Sequence, residues 1–118
     1  MVSAETITLA ALRATGCAEI HDSVAPPTAA KPYVVYQCIG GQDVTDLDGS
    51  DSMQNARMQV AVWADTRMSA RRLIRACRLA MKAQGCAAIG AATAAYEAET
   101  RLYGFRQDFS LWFTETED

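Results

Sequence analysis

The sequence has few of the residues from which metal and redox sites are built. It contains one histidine, His21, which excludes a metal site made from several histidines. Its four cysteines are Cys17, Cys38, Cys77 and Cys86. They form no C-x-x-C pair, so their spacing fits neither a zinc cluster nor a redox dithiol. We therefore expect reduced core thiols, no metal and no other cofactor.

Long apolar runs and an excess of positive charge are also absent. No run approaches the roughly 18 to 20 apolar residues that span a bilayer, so we expect no membrane partner. Glu5 stands where a signal peptide needs basic residues, which predicts an N-terminal helix that the mature protein keeps. The net charge of -3 argues against a dedicated nucleic-acid binder, although a local basic face is compatible with it. The 118 residues are predicted to form one domain, 1–118.

Residues 58–85 carry the strongest pattern, an alternating stretch that turns through Asp65 and Thr66 into an amphipathic helix. One side of this helix has apolar residues at helical spacing: Ala70, Leu73, Ile74, Cys77 and Met81. Another side has basic residues at the same spacing: Arg71, Arg75, Arg78 and Lys82. The pattern predicts a helix that packs on a sheet and keeps a basic face outside, where it is solvated, contacts an acidic neighbouring subunit or touches DNA.

The remaining patterns predict a first helix capped by Ser3 and ended by Gly16, then a proline-rich loop anchored by Ile20 and Val24. Extended segments are predicted over 33–39, 56–64 and, with a turn near 98–101, in a C-terminal hairpin. The last strand, 102–113, would span about 40 Å, so we expect it either to bend, with Gly104 as the candidate position, or to project beyond the core. The prediction is an α+β two-layer sandwich, with a mostly antiparallel sheet of about four strands and two helices packed on one face.

Three groups of residues outside the basic face are candidates for contacts with partners. An acidic loop at 40–53 contains Asp43, Asp46, Asp48 and Asp51, and a polar tail occupies 114–118. Trp63 and Trp112 fall on the nominally wet face of the sheet. Two tryptophans there indicate that an assembly partner covers the face, or that other parts of the same chain do.

Candidate catalytic and calcium-binding residues are weak. Cys17 or Cys38 with His21 and Asp22 would form a nucleophile, base and acid, but only closeness in sequence supports the group. The loop at 46–51 has carboxylates at alternate positions, yet Gly49 is at the fourth place where an EF-hand needs glycine at the sixth. We therefore favour buried thiols and a solvated acidic loop.

Taken in order, several segments resemble the tail terminator, or tail completion, family of long-tailed phages, prophages and gene transfer agents. The segments are VAPPTAAKPYVVYQCIGG, LDGSD, ARMQVAVWADT with its arginine-rich helix, and YEAETRLYGFRQDFSLWF. The resemblance covers nearly the whole chain. It implies a small α+β subunit of a hexameric ring that caps the tail tube, stops its polymerisation and provides the head-tail joining surface.

The resemblance also implies what the protein contacts. Family members have no catalytic residues, so we expect no enzyme activity. The expected partners are copies of the chain, the tail tube protein and head-tail connector proteins, with DNA only passing through the lumen. The expected location is the tail end at the neck of the virion, after assembly in the host cytoplasm. The acidic loop, the proline-rich segment before Tyr33 and the sheet face with Trp63 and Trp112 become candidates for ring and tube contacts.

Two other interpretations stay open at this point. One is a different neck protein, such as a head-tail connector adaptor. The other is a small nucleic-acid-binding module that uses the basic helix face.

Overall fold

A computed structural model describes residues 3–42 and 53–114 of the chain. The predicted acidic loop and polar tail fall mainly on residues 43–52 and 115–118, which lie outside the described residues. Their four aspartates therefore stay predictions. The elements in chain order are α1 Ala4–Arg13, β1 Glu19–Asp22, β2 Tyr33–Gly40, β3 Met53–Ala64, α2 Arg67–Ala83, β4 Ala87–Glu97 and β5 Leu102–Thr114.

The strands form one mixed five-stranded sheet in the order β1-β2-β3-β5-β4. All neighbours are antiparallel except β1 and β2, which are parallel. The α+β class, the two helices and the mostly antiparallel sheet are confirmed. The expectation of about four strands is too low, because the segment with Ile20 was predicted as a loop. Four residues are too few to show a periodic pattern, and pairing with β2, Ile20 opposite Val34, makes them a strand.

The alternation predicted for β3 is confirmed by burial. Met58, Val60 and Val62 are fully buried and face the helices. β3 pairs with β5 without a break, from Met53 opposite Thr114 to Ala64 opposite Tyr103. These two strands are the centre of the sheet.

The predicted bend of β5 at Gly104 is wrong, since the pairing of β5 with β3 continues through that residue. Gly104 is needed instead for space. A Cβ atom at this position would lie 2.7 Å from a ring carbon of Trp63 and 2.8 Å from the carbonyl oxygen of Val62. The irregular register belongs to β4, between Ile89 and Thr93, where Gly90 has a φ of 71°.

The predicted apolar stripe of α2 packs on the sheet. Thr66 is the N-cap, and its hydroxyl accepts a hydrogen bond from the Ser69 amide at 3.1 Å. Four of the stripe's residues are buried: Ala70, Ile74, Cys77 and Met81. Leu73, the fifth, is half-buried against the same core.

The short helix α1 lies beside α2 on the same face of the sheet. Its predicted cap is confirmed, since the Ser3 hydroxyl accepts from the Thr6 amide at 3.2 Å. Ala11 and Leu12 then join the core that α2 and the sheet share. Gly16 follows the helix with a φ of 82°. The two helices therefore form one layer and leave the other sheet face open.

We predict that Gly104→Ala lowers the free energy of unfolding by about 1–3 kcal/mol, because the new methyl group meets the Trp63 ring. In a Trp63→Leu background the same change should cost less. Urea denaturation of the four proteins measures both values. Equal costs in the two backgrounds would show that the Trp63 ring is not what excludes a side chain at position 104.

Candidate functional site

The four predicted basic residues of α2 form an exposed row. Helical periodicity turns this row away from the buried stripe, so Arg71, Arg75, Arg78 and Lys82 all reach the surface. Within residues 3–42 and 53–114, none of the four has a carboxylate at ion-pair distance. Only Arg71 has an aromatic contact, with its Cζ 5.2 Å from the centre of the Phe105 ring. We call these four residues the basic row.

A groove runs between the basic row and strand β4. It consists of two cavities of about 460 and 430 Å³, and Arg75 and Arg78 line both. Phe109 and Phe105 lie at the bottom of the first and second cavity respectively. The other wall is the alanine-rich part of β4. We call this feature the α2–β4 groove.

The groove could not be recognised in the sequence because its β4 wall is a run of small residues. Ala87, Ala88, Ala91 and Ala92 line it, and their methyl groups leave the space beside the helix unfilled. A periodic signal for such a strand is weak, since alanine is neither strongly apolar nor β-branched. The one available signal was composition: an alanine run that follows a basic helix.

The two tryptophans lie on the open face of the sheet but not together. Trp63 pairs with Gly104, whereas Trp112 pairs with Asn55, so eight residues of β5, roughly 26 Å, separate them. Trp63 is half-buried over Gly104, with the Cζ of Arg106 at 6.0 Å from its ring. Trp112 is 52% exposed. The chain itself covers part of Trp63, and Trp112 is the tryptophan available to a partner.

The middle of the open face contains a charge pair that the sequence analysis did not single out. The Arg57 guanidinium donates to the Asp108 carboxylate at 2.7 and 2.9 Å, and Gln59 donates to it at 3.4 Å. The two residues lie on neighbouring strands, β3 and β5. Because the Asp108 carboxylate is already paired with a cation, this cluster does not offer a free acid.

The residues considered for catalysis are in structural contacts. His21 lies 3.1 Å from the Glu19 carboxylate, and the Cys17 thiol donates to the carbonyl oxygens of Glu19 and Pro32 at 3.5 Å. Burial, with a smaller effect of Cys17, raises the pKa of the Cys77 thiol to about 12. Burial also raises the pKa of Cys86. These two thiols are protonated at neutral pH and are poor nucleophiles.

Neither a metal cluster nor a membrane span is found in the part of the chain that the structure describes. Residues 3–42 and 53–114 contain no group of three or more His, Cys, Asp or Glu placed to hold an ion. No helix in these residues is long and apolar enough to cross a membrane. The described surface thus offers charge, an apolar groove and open backbone for contacts.

We predict that Cys77 resists iodoacetamide in the folded protein at pH 8, where a pKa of about 12 leaves about one thiol in ten thousand ionised. The exposed Cys38 serves as the internal control and should be labelled first. Mass spectrometry of timed samples measures both rates. Labelling of the two cysteines at one rate in folded protein would contradict the buried position of Cys77.

These features define a small α+β protein whose described surface combines an exposed basic row with an open groove. The chain matches the family described as Tail completion protein gp17 over residues 4–114, which includes every helix and strand. It belongs to this family of structural phage tail proteins, as the resemblance in its sequence indicated.

The fold is shared with a chain in a solved structure, titled "Virion of native gene transfer agent (GTA) particle". The TM-score is 0.56 at 16% identity, and the alignment covers 96% of each chain. No curated protein sequence matches the chain.

Proposed function

We propose that this protein is the tail terminator: a ring that binds the last ring of the tail tube, stops polymerisation and offers the head a joining surface. The observation that carries the proposal is the family match over residues 4–114. The ring is hexameric, forms in the host cytoplasm and resides at the tail end of the neck in the virion. The partners are the tube protein on one side and connector proteins on the other, with DNA passing through the lumen.

The distribution of contact surfaces supports a ring. A cyclic assembly needs two different surfaces on each subunit, so that each copy contacts both neighbours in the same way. The basic row and the α2–β4 groove lie at one edge of the sheet, whereas Trp112 lies on the open face and β1 lies at the opposite edge. These separate surfaces support a subunit that contacts its ring neighbours and the tube at different places.

The direct test is tube growth in vitro. Tail tube protein is polymerised with and without this protein, and tube lengths are measured by negative-stain microscopy. We expect growth to stop when there is one ring for each tube end, with additional density at one end. Tubes that keep growing in the presence of a molar excess would contradict the terminator function.

The basic row has a specific role in this proposal. The aspartates predicted in the acidic loop, Asp43, Asp46, Asp48 and Asp51, lie outside the described residues. We propose that these aspartates of one subunit face Arg71, Arg75, Arg78 or Lys82 of the next. The exposed and unpaired state of these cations in the described residues supports the pairing. Opposite charges at such a boundary select the partner and fix its orientation.

We predict that Arg75→Glu with Arg78→Glu weakens self-association at least tenfold, or about 1.4 kcal/mol. Sedimentation velocity, with and without tube protein, measures the change. The matched control, Arg13→Glu with Arg101→Glu, changes the net charge equally at exposed positions outside α2 and outside the proline-rich segment. Equal association of the two double variants would exclude the charge pairing.

The basic row also favours a second use, contact with DNA. Four exposed cations along about 17 Å of helix would neutralise phosphates and release counterions. If the basic row contacts DNA, the protein should bind duplex DNA with a steep salt dependence, and Arg75→Glu with Arg78→Glu should abolish that binding. Unchanged DNA mobility at low salt would exclude this use.

A further inference from the structure

The two edges of the sheet are very different. β1 has four residues, carries Glu19 and Asp22, and is followed by Pro26 and Pro27. Charge, proline and short length are the means by which proteins protect an edge strand from another strand. β4 has eleven residues, and from Ala87 to Tyr96 it contains neither a charged residue nor proline. A bulge, which also interrupts edge pairing, lies between Ile89 and Thr93, so the outer edge of β4 is open to an additional chain on either side of that bulge.

The α2–β4 groove runs beside this open edge. Each cavity has an apolar floor, Phe109 or Phe105, and both have Arg75 and Arg78 on the helix wall. Lys82 extends the charged wall at one end and Arg71 at the other. An extended chain that pairs with the outer edge of β4 would turn every second side chain to the face of the sheet on which α2 lies, toward the guanidinium groups of the groove. The groove is thus suited to an extended segment that carries carboxylates.

The charges disfavour the simplest symmetric alternative. Two β4 strands that paired antiparallel around a two-fold axis would place both α2 helices on one face of the joined sheet. The cations that line the two grooves, Arg75 and Arg78 of each copy, would then approach each other. Like charges across such a boundary are unfavourable. A strand from an acidic part of a chain would complement these cations instead.

We propose that the α2–β4 groove binds residues 43–52 of a second copy, extended along the open edge of β4. This proposal rests on the proposed ring function. It places the contact between the aspartates of one subunit and the basic row of the next in the α2–β4 groove. Asp46 and Asp48 are two residues apart, so both project from the same side of an extended chain, about 7 Å apart. That spacing matches cations one helical turn apart, such as Arg75 and Arg78. The negative charge of the segment complements the basic row.

The attachment of the segment argues for a second copy rather than the same chain. Gln42, just before the segment, donates its amide to the Asn55 side chain at 2.9 Å, and Met53 follows the segment. Ten residues that leave and return to this point reach at most about 17 Å. The Arg71 end of the groove lies near Ala92 on β4. Measured from Asn55, Ala92 is about six residues further along the strands and two strands across the sheet, which is a distance of about 22 Å. By the same register a chain's own segment could reach the Ala88 end, about 14 Å away, but not the Arg71 end, so a second copy is needed to occupy the whole groove.

A disulfide cross-link between two differently tagged batches tests the proposal. One batch carries Ala88→Cys in the groove and the other Asp48→Cys in the segment. Both have a Cys17→Ser, Cys38→Ser and Cys86→Ala background, because the native Cys86 also lines the groove. We expect mild oxidation of the mixture, with and without tube protein, to give a dimer that contains both tags. The control replaces Ala88→Cys with Ala98→Cys, at the exposed turn beyond β4. It should give no such dimer.

The absence of the mixed dimer, or equal yields with Ala88→Cys and Ala98→Cys, would overturn the proposal. A protein with both Ala88→Cys and Asp48→Cys that cross-links within single chains would overturn the assignment to a second copy. Tube capping is scored separately on the wild-type protein. Capping without the mixed dimer would support the terminator function and contradict binding of residues 43–52 in the groove. The mixed dimer without capping would support binding in the groove and contradict the terminator function.

A substitution in the α2–β4 groove tests the proposal a second time, through the strength of self-association. Ala91→Glu adds a carboxylate to the groove, so it should weaken self-association at least tenfold in sedimentation velocity. Ala98→Glu adds the same charge outside the groove and should associate as the wild type does. Circular dichroism checks that both variants are folded. Equal association constants for the two folded variants would contradict the proposal.

Discussion

The contact between the apolar stripe of α2 and the central strands β3 and β5 determines the rest of this structure. Ile74, Cys77 and Met81 are buried against the face that presents Val60, Val62 and Phe109. Because this side of the helix is buried, the helical repeat places the arginines of the basic row on the exposed side. The position of the basic row beside β4 is therefore a consequence of core packing, which is why one helix provides both core residues and the exposed basic row.

The same packing explains why the sheet has one protected and one open edge. α2 contacts β3, β5 and β4, whereas α1 lies nearer β1 and β2. Beside β4, small alanines leave a groove under the helix instead of a filled core. A subunit that worked alone would be expected to fill such a groove and to guard such an edge, because exposed strand edges promote association. In a family of tail proteins the open edge is consistent with use in assembly.

The strongest sequence patterns predicted the parts of the fold that have a clear period. The alternation around Val60 and the helical stripe around Ile74 were both correct, as was the Ser3 cap, since each follows from local geometry. β1 was missed because its four residues form a strand only by pairing with β2. That partner lies fourteen residues further along the chain, so no local pattern reveals the pairing. Gly104 was misread for a related reason. Its role comes from the Trp63 ring on the neighbouring strand, and no pattern within β5 reveals that ring.

The candidate site was predictable only on its charged side. Arg75 and Arg78 stand out in the sequence through their spacing, but the groove they line needs the alanines of β4 and the buried ring of Phe109, which tertiary structure brings together. The two tryptophans were placed on the correct face, yet alternation says nothing about the roughly 26 Å that separates them or about Arg106 over Trp63.

A reconstruction of the assembled neck by electron cryomicroscopy tests the account most directly. The account predicts a closed ring of this chain between the tail tube and the connector, with the α2–β4 groove of every subunit at a boundary with its neighbour. A ring in which the grooves face solvent would contradict the proposed interface. The presence of this chain elsewhere in the particle, away from the end of the tube, would contradict the terminator function itself.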